Sequence, residues 1–187
     1  MKKTIIAGIV ATISTALFFT PAHGGWKPPK TDTAETPNVE NKDVAETIAA
    51  FKEKDTGMAI FFEKAYGYAV FPKVGKGGIG IGGAHGKGEV YEQGKLIGAS
   101  SLTQVTIGFQ FGGQSYSEII FFKDKEALER FKDGNFELGA QASAVAASAG
   151  ASSNAGYENG VAIFTLAKLG LMYEASIGGQ KFSFKAK

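Results

Sequence analysis

The sequence predicts an α+β fold in which N-terminal amphipathic helices pack on a glycine-rich, mostly antiparallel sheet that curls toward a barrel or sandwich. Three observations carry this. Apolar residues recur at helical spacing over residues 39–66, and from Tyr66 onward the period changes to two. Glycine, at 26 of 187 residues, stands at roughly twice its usual share. It follows no three-residue repeat, which excludes collagen, and the 12% aromatic content excludes a disordered composition.

The chain opens with Lys2 and Lys3, an apolar run from Thr4 to Phe19, and small residues at Ala22 and Gly24. This order predicts an export signal over residues 1–24, cut after Gly24. The run is shorter than the ~20 residues a membrane-spanning helix needs. Residues 25–38, with three prolines, read as a solvated tether, and residues 39–187 as a single domain.

Within that domain Val44, Ile48 and Phe51 form a helical stripe widened by Ala45 and Ala49, with Asn41 or an Asp43/Glu46 box as the cap. A second helix is predicted from Thr56 or Gly57 to Tyr66, with Met58, Phe61, Phe62 and Ala65 on one side. Strands follow: Tyr68, Val70 and Pro72 alternate with Ala69 and Phe71, and Gly78, Gly80 and Gly82 alternate with Ile79 and Ile81. Glycines on one strand face allow a close approach or a sharp bend. Glu92-Gln93-Gly94-Lys95, Asn159-Gly160 and Gly178-Gly179 are hairpin signals. Ile119–Phe122 is a continuous apolar run, expected of a strand covered on both faces. Asp124 to Lys132 reads as a short helix with Ala127, Leu128 and Phe131 inward and Gly134 as its stop. For the Ala/Ser/Gly-rich residues 139–156, periodicity leaves strand, helix and loop open.

The chemistry the sequence excludes is extensive. With no cysteine there is no disulfide, thiol nucleophile or zinc-thiolate site. Loss of Lys2 and Lys3 with the signal leaves 18 basic against 18 acidic residues, a formal charge of zero. That disfavours nucleic acid as a partner. Gly78-Ile79-Gly80-Ile81-Gly82-Gly83 fits G-x-G-x-x-G, but an alternating, turning segment follows where a dinucleotide site needs a helix. His85 is the only histidine after residue 24, and no nucleophile elbow surrounds Ser100 or Ser101. No catalytic residue, metal or cofactor is expected. What remains is Lys73, Lys76 and Lys87: if the 72–87 connection folds back, these amines converge on one side and meet lipid phosphates.

Four blocks in order, AYGYAVFPKVGKGGIGIGGAHGKGEVYEQGKLIG, IGFQFGGQSYSEIIFF, FELGAQASAVAASAGA and KLGLMYEASIGGQKF, resemble those of the SYLF domain family. The resemblance covers residues 40–187. It implies lipid binding rather than catalysis, and a strand over residues 139–150. Some members bind actin, but an exported chain does not meet actin, so the partner expected is an anionic phospholipid or a membrane surface. The leading expectation is therefore a non-enzymatic, exported envelope protein. Its helical stripe (Val44, Ile48, Phe51, Phe61, Phe62) would meet lipid, and Lys73, Lys76 and Lys87 would hold phosphate. The alternatives are an envelope module that binds another protein and, less favoured by the helices, a small outer-membrane barrel.

Overall fold

The computed structural model describes residues 41–108, 113–134, 136–139, 142–169 and 177–187. The predicted signal and tether lie outside these residues. The elements are α1 (Lys42–Lys54), α2 (Met58–Lys64), β1 (Gly67–Glu92), β2 (Lys95–Gly108), β3 (Gln114–Phe122), α3 (Lys125–Lys132), β4 (Val145–Ala146), a 3-10 turn (Ala151–Asn154), β5 (Val161–Leu169) and β6 (Gln180–Ala186). The sheet runs β4-β5-β3-β1-β2-β6. All neighbours are antiparallel except β4 and β5.

A straight strand as long as β1, with its 26 residues, would span about 86 Å. It does not run straight. Gln93 N–H donates to the Tyr66 carbonyl at 3.0 Å, so the two ends of β1 lie side by side. A Cβ on Gly67 would fall against the Tyr91 carbonyl, one on Gly88 against the Val70 carbonyl, and one on Gly86 against Val74 and the Lys73 carbonyl. β1 is therefore a hairpin. Its outgoing limb pairs with β3 from Gly67 to Lys76, and its returning limb pairs with β2 from Gly80 to Glu92. Counting both limbs, the mostly antiparallel sheet has seven strands among the described residues. It curls without closing, and β4 and β6 are its edges.

Helices cover the two faces of the sheet. On one face Val44, Ile48 and Phe51 of α1 and Met58 of α2 pack with Tyr68, Val70, Tyr91, Ile119, Phe121 and Phe164. On the other, Ala127, Leu128 and Phe131 of α3 pack with Phe71, Val74, Val90, Ile120, Phe122 and Phe182. Ile119 through Phe122 thus divide alternately between two cores, as their unbroken apolar run predicts.

The local signals decide the element ends. Asn41 is the α1 cap, its side chain accepting the Asp43 N–H at 2.9 Å. Asp124 caps α3 by accepting the Ala127 N–H at 2.9 Å. Gln93-Gly94 (φ 47° and 77°) and Asn159-Gly160 (φ 51° and 84°) have both central residues left-handed, the geometry of the turn that best matches strand twist. The segment after residue 139 is not a long strand: only Val145–Ala146 pairs with β5, and the 3-10 turn follows. Asp55, between α1 and α2, holds that turn in place by accepting the backbone N–H groups of Ser152 at 2.7 Å and Gly57 at 3.0 Å.

Candidate functional site

The fold-back of β1 builds the site. On the returning limb Ala84, Gly86 and Gly88 point inward, and His85, Lys87 and Glu89 occupy the opposite face with α1. On the outgoing limb, the irregularity between Phe71 and Val74 leaves Val74 in the α3-side core and Lys73 exposed. Lys73, His85 and Lys87 thereby line one groove of about 620 Å³, closed at its base by Asn41, Asp43 and Val44 of the α1 N-terminus. Two carboxylates share it. Asp43 belongs to the first turn of α1, and Glu89 accepts the Tyr91 hydroxyl at 2.6 Å. Lys73 and Lys87 are thus offset by two acids at the base.

Lys76 does not join them. By alternation from Val74 it belongs to the opposite face of the outgoing limb. It is partly buried, and burial holds its amine below the usual lysine range. The expected trio is corrected to a pair, Lys73 and Lys87, because two residues of one strand three positions apart face opposite ways.

The apolar stripe is corrected as well. Val44 and Phe51 are fully buried and Ile48 nearly so, all against the sheet. Phe61 packs edge-on against Phe164 at 4.9 Å, and Phe62 against Phe121 at 4.9 Å and Tyr68 at 5.3 Å. Lys52 Nζ caps the Phe62 ring at 4.6 Å. In this fold the α1 stripe is core and Phe61 and Phe62 pack against it half-buried, since short helices gain more from a packed sheet than from solvent. Phe51→Ser is accordingly expected to cost about 3–5 kcal/mol of folding stability, read as an earlier midpoint in urea unfolding. An unchanged midpoint would mean that α1 does not seal the core.

Two features of the site were not singled out from sequence. Ile81 and Val105 are 73% and 77% exposed, although alternation alone would have placed one face of their strands under cover. The second is Glu118, a carboxylate with no exposure in the centre of β3. Its Oε2 accepts from Gln180 Nε2 at 3.0 Å, and the same amide lies 3.0 Å from the Tyr116 hydroxyl. Glu118 Oε1, Gln180 Oε1 and Thr165 Oγ1 are buried without a hydrogen-bond partner among the described residues. Burial pushes the Glu118 carboxyl up to about 8, against the opposing pull of the Gln180 hydrogen bond. The only sequence signal was an acid inside an apolar strand run.

Among the described residues no group of three His, Asp or Glu side chains could hold one metal ion. No described helix is long and apolar enough to cross a membrane.

Comparison with known proteins points the same way as the residue blocks. Residues 103–187 match the Ysc84 family model, described as "Las17-binding protein actin regulator". Beta cell expansion factor A of Aeromonas veronii is 29% identical over 161 residues, taking in 80% of this chain and 58% of that protein. The chain thus spans under two thirds of the length of this relative. Residues 103–187 are thus similar to the Ysc84 (SYLF) family in sequence.

Proposed function

We propose that this protein is a non-enzymatic membrane-surface protein of the cell envelope that recognises anionic phospholipid headgroups through Lys73 and Lys87. The observation that supports this reading is the fold-back of β1, which brings two amines and His85 into one open groove. The amines come from limbs separated by a turn, so they stand on a rigid sheet rather than on loose loops. The α1 N-terminus at the groove base already spends its first-turn N–H groups on Asn41, and Asp43 and Glu89 limit how much charge the groove can take. Export and envelope location follow from the character of residues 1–24. The lipid and actin-regulator associations of the SYLF family are the wider frame for a module of this kind.

The burial of the α1 stripe moves the contact from the helix to the sheet. At about 1 kcal/mol per surface lysine, Lys73→Gln with Lys87→Gln is expected to weaken binding to anionic vesicles about 30-fold at low salt. The loss should shrink as salt rises. Flotation with neutral and anionic vesicles measures it. Equal partition into both vesicle types, or binding indifferent to the double substitution, would overturn the proposal.

A further inference from the structure

The returning limb of β1 carries an ordered sequence of side chains along its outer face. Ile81 pairs with Ile107 and Gly83 with Val105, so Ile81 and Val105 sit diagonally on one face. Both are large, apolar and more than 70% exposed. Alternation continues this face through His85, Lys87 and Glu89 without a register break. At about 3.3 Å per residue, His85 lies ~13 Å, Lys87 ~20 Å and Glu89 ~26 Å behind Ile81. From the hairpin tip inward the order is apolar, then basic, then acidic.

We infer that this tip is the element that enters the bilayer, with Ile81 and Val105 below the headgroups and His85, Lys73 and Lys87 at phosphate level. The inference rests on the membrane reading above and adds the element and its orientation. The tip-to-base order matches the layering of an anionic membrane, hydrocarbon first and phosphate next, and leaves Glu89 and Asp43 in water. Charge complementarity thus commits the patch to an anionic bilayer. A bare pair of aliphatic side chains backed by amines is what an interfacial anchor needs, since apolar burial and attraction to anionic lipid act together.

The absence of cysteine from the chain permits a direct test. The exported protein carrying Ile81→Cys, labelled with an environment-sensitive fluorophore, is mixed with vesicles of phosphatidylcholine and phosphatidylglycerol. The comparison is Ile60→Cys on α2, where the native side chain is 54% exposed. Expected is a blue shift and protection from aqueous iodide at position 81 and neither at position 60. Ile81→Ser with Val105→Ser should weaken vesicle partition at least about tenfold, with circular dichroism unchanged. Vesicle binding with position 81 still aqueous would overturn the tip assignment and leave the membrane reading standing. Absence of binding to any vesicle would end both. A blue shift that grows with protein concentration in the absence of vesicles would assign the patch to a second copy, and would also overturn the inference.

Discussion

Gly88→Val is expected to cost the domain at least about 3 kcal/mol of folding stability. Gly88 sits where the returning limb of β1 crosses the outgoing one, and a Cβ there would press into the Val70 carbonyl and come within 2.7 Å of Phe71 Cδ1. The first obstacle is backbone inside a paired strand, and the second is a ring with no exposure in the α3-side core. Neither can retreat without opening the β1–β3 register at Val70 and Phe71. Overpacking a core costs about 1–3 kcal/mol and more where nothing can yield. Against a total stability of about 5–15 kcal/mol, a loss of that size is a substantial fraction. Gly75→Ala is the control, because a Cβ at Gly75 meets nothing within 4 Å. Urea unfolding of the two variants side by side decides it. A Gly88→Val variant as stable as Gly75→Ala would show that the limbs do not pack as described.

The second large effect is on pH. Glu118 has an ordinary carboxyl pKa of 4.5 in the unfolded chain and about 8 in the fold. Between those values the folded chain holds a proton that the unfolded chain has released. Stability therefore falls as pH rises from about 4.5 to about 8 and levels off above that. A difference of that size corresponds to an upper bound on the order of 5 kcal/mol. Glu118→Gln keeps the shape and removes the titration. Its unfolding free energy is expected to stay flat across this window and to exceed that of the parent at pH 8. A parent protein with no loss of stability between pH 5 and pH 8 would contradict a neutral, buried Glu118.

The sequence made much of this architecture legible, and the reasons lie in particular residues. Asn-Gly and Gln-Gly pairs determine turns through the backbone freedom they permit, so both hairpins could be placed from two letters each. Ile119 to Phe122 announced its two-sided burial because a solvent-facing side would have required polar residues. Asp124, Ala127, Leu128, Phe131 and Gly134 contain a whole helix with its cap and stop. The site was harder. Lys73 and Lys87 share a face with each other but not with Lys76, and which of the two outgoing-limb lysines faces Lys87 depends on the irregularity between Phe71 and Val74, whose one sequence mark is Pro72. The stripe of α1 was legible as amphipathic, but amphipathicity alone does not say whether lipid or a sheet receives it. The depth of Glu118 depends on β5, β6 and α3 covering the same patch, information spread over some sixty residues.

The pairing of β2 with β6 has a consequence for how the chain reaches this fold. The two limbs of β1, and β1 with β2, meet through tight turns, whereas Gly98 must find Ala186 across a sequence separation of 88 residues. Local ladders nucleate early and distant ones late, since a long loop must be closed before any contact rewards it. The expected order is the β1 hairpin with its β2 ladder first, the β1–β3 ladder next and the β6 ladder last. Until then the outer side of β2 presents an unsatisfied row of amides, which makes this edge the point of greatest vulnerability to self-association during assembly.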